Sequence, residues 1–111
     1  MSRPLGIDHP VIDLRKLEDY CLSPDHLKGR HKARVFREAL GIGREHAQWL
    51  KDHLLEGLAT ADALEIANDA FGTRWRIDIK LARQRKQAVV RTLWIIRTGE
   101  ESLRFVTCWV L

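Results

Sequence analysis

The sequence predicts an α+β fold in which two to three N-terminal helices pack on one face of a three- to four-stranded antiparallel sheet. Apolar residues recur with a helical period from Asp13 to about Leu58, and the period becomes two after Gly72. All the predicted helices precede the main strands, an order typical of α+β rather than βαβ architecture. A chain of 111 residues is long enough for one core. We therefore expect residues 1–111 to form a single domain.

Three helices are predicted in the first half of the chain. Asp13 suits the N-cap of a helix over "LRKLEDYCL", which "SPDH" ends. A second helix is expected from about Arg30 to Leu40, with Gly41 as its stop, and a third from about Arg44 to Leu58. Their expected apolar stripes are Leu14, Leu17 and Cys21; Ala33, Phe36 and Leu40; and Ile42, His46, Trp49, Leu50, His53, Leu54 and Leu58.

The second half predicts a meander of strands. "TRWRIDIKL" alternates apolar and polar residues, as a half-buried strand with a basic outer face does. After the turn "ARQRK", "QAVVRTLWIIRT" is apolar on both faces, which is typical of a central strand. "GEES" then turns the chain into "LRFVTCWVL", and a weaker strand is expected between Ala63 and Ala70. The residues expected to be buried are Phe36, Leu40, Leu50, Leu54, Trp75, Ile77, Ile79, Trp94 and Ile95, while Trp94 and Trp109 have base stacking as an alternative.

Charge is distributed unevenly along the chain. The net charge is +4, yet residues 1–71 carry 10 basic against 12 acidic side chains and residues 72–111 carry 9 against 3. Residues 28–37 hold five basic side chains and no acidic one. Such asymmetry favours RNA or another polyanion as partner, and a solvated surface is the alternative.

Several classes of protein are not indicated. The N-terminus has no apolar h-region and no run of about 18 apolar residues occurs, so we expect no membrane span and a cytoplasmic location, with export as cargo of a larger toxin as an alternative. Cys21 and Cys108 offer neither zinc-ligand spacing nor a disulfide framework. His46 and His53 lie on an apolar stripe and are interpreted as core or boundary residues. We predict no metal site and no cofactor.

The segment "SPDHLKGRHKARVF" concentrates the residue types that RNA cleavage without a metal requires. That reaction needs a base for the ribose 2′-OH, an acid for the leaving 5′-oxygen, and cations or hydroxyls beside the phosphorane oxygens. Histidine titrates near neutrality, and lysine and arginine hold phosphate. The candidate catalytic residues here are His26, His31 and Lys32, with Lys28, Arg30 and Arg34 as candidate nucleic-acid contacts, to which the strand residues Arg74, Arg76 and Lys80 are added. A basic surface loop with two incidental histidines is the alternative.

Two strings carry a family resemblance. "LSPDHLKGRHKARVFREALGI" and "RTLWIIRTGEESLRFVTCWVL" resemble the motifs of a family of small, uncharacterised bacterial proteins that also occurs as the last domain of polymorphic toxins. The resemblance covers about residues 13 to 111. In layout that family is similar to the ribonuclease superfamily that joins barnase, EndoU, colicin D and the RelE toxins.

The resemblance implies positions for a catalytic set. By position, His26 and Lys32 correspond to the helical basic residues of that superfamily, Arg91 to the central-strand cation and Thr107 to the last-strand hydroxyl. Trp109 stands where an aromatic hydroxyl is expected, which argues against a mechanism that depends on tyrosine there. An antitoxin or immunity protein would be the natural partner of such a toxin.

Two functions therefore compete. One is a small metal-independent endoribonuclease or toxin-like RNA-binding domain. The other is a non-catalytic binding module, such as an antitoxin, an inhibitor or a phage-derived adaptor, whose basic surface binds an acidic protein or nucleic acid. A catalytic role requires the candidate histidines to lie near Arg91 and Thr107 around one concavity, whereas an adaptor requires only a continuous surface.

Overall fold

The computed structural model describes residues 3–111 and has the predicted α+β architecture. Short 3₁₀ turns cover Leu5–Asp8 and Arg44–His46. The helices are α1 (Leu14–Lys16), continued by a π-helical turn over Leu17–Cys21, α2 (Arg30–Leu40) and α3 (Ala47–Gly57). The strands are β1 (Pro10–Val11), β2 (Ala63–Asp69), β3 (Gly72–Arg83), β4 (Lys86–Arg97) and β5 (Leu103–Val110).

The strands form one sheet in the order β1-β5-β4-β3-β2. β2 to β5 are an antiparallel meander, as predicted, and Gln84, with a φ of 57°, lies in the tight turn between β3 and β4. The difference is β1, which pairs parallel to β5 through only two residues, Pro10 with Leu103 and Val11 with Arg104. A two-residue strand that begins with proline has no alternation to detect, so the sequence did not predict it.

The helices contribute to one core with a single face of the sheet. The inward residues of β3 are Trp75, Ile77, Ile79 and Leu81, and they pack with Phe36, Leu40, Leu50 and Leu54 from the helices. Trp94 lies in this core with its ring 5.4 Å from the ring of Phe105. The predicted buried residues are confirmed, and Trp94 is thereby a core residue rather than a stacking platform.

Helix α2 packs closely against the π-helical turn through a glycine at its start. Gly29 lies so close to the π-helical turn that a Cβ there would overlap the carbonyl oxygen of Tyr20. At the other end, Gly41 adopts a φ of 66° and its N–H bonds to the carbonyl of Arg37. The buried stripe of Ala33, Phe36 and Leu40 faces the sheet. The side chains on either flank of that stripe are therefore held beside β5 on one side and the Leu22–Pro24 segment on the other.

Candidate functional site

Helix α2 separates the basic cluster of the sequence into two groups. At 100° per residue, Lys32 falls on one flank of the buried stripe, and Arg30, Arg34 and Arg37 fall together on the opposite flank, roughly 160° away. Lys32 contacts β5, while the arginines and His31 line a separate groove. The basic residues that are adjacent in sequence therefore lie on two different flanks of α2.

Lys32 is the centre of the first group, the Lys32 site, which comprises Tyr20, Cys21, His26, Lys32, Thr107 and Trp109. Its ammonium nitrogen lies 3.1 Å from the hydroxyl oxygen of Thr107 and 3.4 Å from that of Tyr20. The same nitrogen is 4.8 Å from the centre of the Tyr20 ring and 5.3 Å from that of Trp109, within cation–π range. Lys32 forms no salt bridge with any residue in 3–111.

A buried thiol pair lies behind the Thr107 hydroxyl. The sulfur of Cys21 is 3.7 Å from Thr107 Oγ1, and hydrogen bonding to Cys108 lowers the pKa of the Cys21 thiol to about 6. Burial and the neighbouring Cys21 sulfur raise the pKa of Cys108 well above its usual value. The lowered pKa of Cys21 and the raised pKa of Cys108 favour Cys21 as the one of the two that ionises first. Both cysteines are free and fully buried.

His26 joins the Lys32 site through Tyr20. The two rings meet edge to face with their centres 4.6 Å apart. The Nδ1 atom of His26 accepts hydrogen bonds from the backbone N–H groups of Lys28 and Gly29, each at 3.0 Å. An acceptor Nδ1 places the proton of the neutral ring on Nε2. His26 therefore orders the turn before α2 and offers Nε2–H as a donor.

Arg91 lies on β4, the strand next to β5, and forms an ion pair with Asp78. It is directly opposite Trp109 on β5 and opposite Asp78 on β3. Its Nε and Nη2 atoms donate to the two carboxylate oxygens of Asp78, at 3.0 Å each, and this pairing raises the pKa of the guanidinium. Arg91 is thus beside the Lys32 site, with its charge balanced by Asp78.

The second group lines a cavity of about 460 Å³, which we call the basic groove. His31 lies here, 3.5 Å from Arg34 and about 100° around α2 from Lys32. The separation of His31 from Thr107 arises because consecutive helical residues point about 100° apart, so the adjacency of His31 and Lys32 in sequence does not bring their side chains together. The lining residues are Leu22, Pro24, Arg30, His31, Ala33, Arg34 and Arg37.

The remaining predicted nucleic-acid contacts lie elsewhere. Lys28 is exposed in the turn before α2. Arg74, Arg76 and Lys80 occupy the sheet face that points away from the core, where Arg74 is 3.6 Å from the carboxylate of Asp69. On β4 the neighbour of this basic stripe is Arg91, which lies directly opposite Trp109 of the Lys32 site.

Sequence reasoning missed part of each group. Tyr20 is the single tyrosine of the chain, yet its place beside the buried stripe of α1 gave no sign that its hydroxyl meets Lys32. The apolar stripe of α1 predicts burial of Cys21 and indicates nothing about its contact with Thr107. Arg37 was counted in the basic segment without a role, although its spacing from Arg30 and Arg34 places all three on one helical face.

His46 and His53 have local partners, in keeping with their interpretation as boundary residues. His46 accepts from the Gly43 N–H at 3.0 Å and contacts Arg83, and His53 bonds to the Trp49 carbonyl at 2.7 Å. Over residues 3–111, no three His, Cys, Asp or Glu side chains are grouped as metal ligands. None of the helices in that range is long and apolar enough to cross a membrane.

Comparison with solved structures identifies a similar fold. The chain is similar to one chain of a contact-dependent growth inhibition toxin–immunity protein complex from Klebsiella pneumoniae 342, with a TM-score of 0.71 and 15% identity. The match covers 91% of this chain and 99% of that one. No curated protein matches the sequence. A family model, described as a domain of unknown function, matches residues 4–111. The chain therefore belongs to the DUF6883 family.

Proposed function

We propose that this domain is a toxin-type endoribonuclease that cleaves RNA without a metal ion, with the Lys32 site as its active site. The observation that carries the proposal is the contact of the Lys32 ammonium with the Thr107 hydroxyl at 3.1 Å, beside the Tyr20 hydroxyl. One cation and two hydroxyls converge there from three elements. The similar fold of a chain from a toxin–immunity complex supports the toxin context.

The chemistry is an in-line transfer at phosphorus. Solvent takes the proton of the ribose 2′-OH as its oxygen attacks the phosphorus, the bond from phosphorus to the 5′-oxygen breaks, and the leaving 5′-oxygen takes a proton from solvent, which gives a 2′,3′-cyclic phosphate and a 5′-hydroxyl. Negative charge builds on the non-bridging oxygens in the transition state, where preorganised donors are most effective. Lys32 supplies such donors, and the Nε2–H of His26 is another. Thr107 accepts from Lys32 and so positions its ammonium group. In this proposal His31 and Arg91 bind or balance charge and do not transfer protons.

The geometry favours phosphate over a carboxylate partner for Lys32. Its ammonium lies among two hydroxyls, two aromatic rings and a buried thiol pair, and no carboxylate within 3–111 forms a salt bridge with it. On its exposed side Lys32 therefore has no carboxylate partner among residues 3–111, and an anionic ligand can pair with it there. An RNA phosphate has the required charge and oxygens.

The test is cleavage of labelled RNA in EDTA. Lys32→Met and Thr107→Val keep the side-chain size while removing the charge and the hydroxyl, and each is expected to lower the rate by about 10²–10³-fold. Lys51→Met, on α3 outside both groups, is the control and is expected to retain the wild-type rate. Absence of cleavage by wild-type protein, or equal rates for Lys32→Met and Lys51→Met, would contradict the proposal.

A non-catalytic binding module is the second candidate, and the apolar end of the sheet favours it. Leu64 and Ile66 on the edge strand β2 are 50% and 46% exposed, and Phe71 in the following turn is 73% exposed. Exposed apolar side chains beside an unpaired strand edge suit a protein partner such as an antitoxin or immunity protein. Under this second function, Leu64→Lys weakens partner binding and Lys32→Met does not.

A further inference from the structure

The basic groove combines three arginines with an apolar floor. Arg30, Arg34 and Arg37 are spaced by four and three residues, so their side chains leave α2 on the same side. Leu22, Pro24 and Ala33 form the apolar lining, and Leu22 and Ala33 are buried. The cavity is therefore a built concavity between α2 and the preceding segment, and its cations surround a surface against which a flat group can pack.

The arginines of the groove form no salt bridge within residues 3–111, unlike other arginines of the same chain. Arg15, Arg44, Arg74, Arg91 and Arg104 all form salt bridges, whereas none of the three groove arginines does so with any residue in 3–111. The first turn of α2 also lacks an acidic residue. Three like charges at this spacing repel one another, so an anion bound among them relieves unfavourable electrostatic energy.

The shape and chemistry of the groove favour phosphate. Guanidinium groups donate two parallel hydrogen bonds to phosphate oxygens, and a concavity lined by one sign of charge focuses the potential on an entering anion. The apolar lining suits a nucleobase or ribose next to that phosphate. A carboxylate on an acidic protein would use the cations and leave the apolar lining unfilled.

We propose that the basic groove is a second phosphate subsite, which binds a phosphodiester of the RNA strand on the far side of α2 from the Lys32 site. This inference rests on the proposed function for the identity of the strand. Because the groove and Lys32 are on opposite flanks of α2, the strand crosses the turn at His26 and Lys28, where the exposed Lys28 side chain adds a further cation. The groove binds substrate and takes no part in the reaction at phosphorus.

The experiment measures binding of a short 2′-O-methyl RNA, which cannot be cleaved at the 2′-oxygen. The test variant is Arg34→Gln with Arg37→Gln. The matched control is Arg85→Gln with Arg97→Gln, which removes the same charge from an exposed position in the β3–β4 turn and one at the end of β4. All four arginines are exposed, so thermal unfolding is expected to be nearly unchanged. The single variant Arg34→Gln provides a second measurement if the double variant does not fold.

The groove variant is expected to lower affinity about tenfold or more at low salt. It should also reduce the slope of log affinity against log salt by about 0.7, which is the contribution of one phosphate neutralised on a single strand. The control should change the slope by much less. Equal losses in both double variants, or no binding by wild-type protein, would overturn the proposal.

Two further results separate this inference from the proposed function. If wild-type protein cleaves no RNA and still binds the 2′-O-methyl strand through the groove, the ribonuclease proposal fails and the subsite stands. If the groove variant cleaves RNA with unchanged affinity, the subsite fails alone. Inorganic phosphate and chloride are also compared as competitors at the same ionic strength. If phosphate displaces the RNA strand more than chloride does, the groove is a site for free phosphate and the proposal is overturned.

Discussion

Arg91 and Asp78 lie directly opposite each other on β4 and β3 and share two hydrogen bonds of 3.0 Å on the outer face of the sheet. Arg91 is also directly opposite Trp109 on β5, and Asp78 balances its charge there. An anion that approaches Trp109 therefore meets a neutral pair beside the positive Lys32. Near Trp109, Lys32 is therefore the group that attracts an anion. Arg91 can contribute to that attraction only if its pairing with Asp78 is removed.

Removal of the Asp78 charge should release Arg91 for an anionic ligand. We expect Asp78→Asn to strengthen binding of a 2′-O-methyl RNA at low salt and to steepen its salt dependence, because one more cation becomes available to the strand. Asp69→Asn, which frees Arg74 farther from Lys32, is the control for a general charge effect. Equal gains in the two variants would show that the position of Arg91 is immaterial.

His26 should have a structural role that is separable from its donor role. His26→Ala removes the acceptor of two backbone N–H groups and should lower stability by about 1 kcal/mol. His26→Asn can keep a local acceptor while it removes the Nε2–H. If the imidazole contributes to cleavage, His26→Asn should have the thermal stability of the wild type, which His26→Ala lacks, and should still cleave RNA slowly. Restoration of both properties by Asn would limit His26 to ordering the turn.

Thr92 should be a sensitive position of the core. Its hydroxyl donates to the Ile77 carbonyl and accepts the indole N–H of Trp94 at 2.6 Å, all at full burial. Thr92→Val leaves that N–H unpaired and should lower the free energy of unfolding by about 1–3 kcal/mol. The exposed Thr98→Val, which loses one bond to the Ala70 carbonyl, should lose no more than about 0.5 kcal/mol in urea unfolding. Similar losses at the two positions would contradict this prediction.

The Cys21 thiolate should make stability depend on pH. Its folded-state pKa of about 6 is below the value of an unfolded thiol, near 8.5, so the stabilisation is complete above about pH 8.5 and is lost as the pH falls through 6. Cys108 has the opposite sign, because its raised pKa favours the thiol and its contribution is lost only at higher pH. The difference in stability between wild type and Cys21→Ala should therefore grow from pH 6 to 8.5 in urea unfolding. A difference that stays constant over that range would refute the thiolate assignment.

The sequence predicted the fold well because its periods were clear. The strict alternation of Trp75, Ile77 and Ile79 determined both the strand and its buried face, and Gly41 marked the end of α2. β1 was missed because two residues carry no period, and the π-helical turn at Leu17–Cys21 was missed because an apolar stripe fits α- and π-helical turns alike.

The site was less predictable, since it depends on which flank of a helix each side chain occupies and on partners far along the chain. Lys32 meets Thr107 across 75 positions, and nothing local to either residue specifies that contact. The pairing of Arg91 with Asp78 required the strand register. The separation of His31 from Lys32 followed from the helical period, and applying that period to the flanks of α2 would have revealed it.

The parallel pairing of β1 with β5 has a consequence for the order in which the chain acquires structure. Pro10 pairs with Leu103, and Lys16 donates to the carbonyl of Phe105 at 2.9 Å, so the first segment of the domain completes its bonds only on the last strand. Contacts this distant in sequence are slow to form because loop closure must precede them. During synthesis on the ribosome, the helices therefore leave the exit tunnel before the strands that cover their apolar stripes. The contact between Lys32 and Thr107 forms only after β5 has been synthesised.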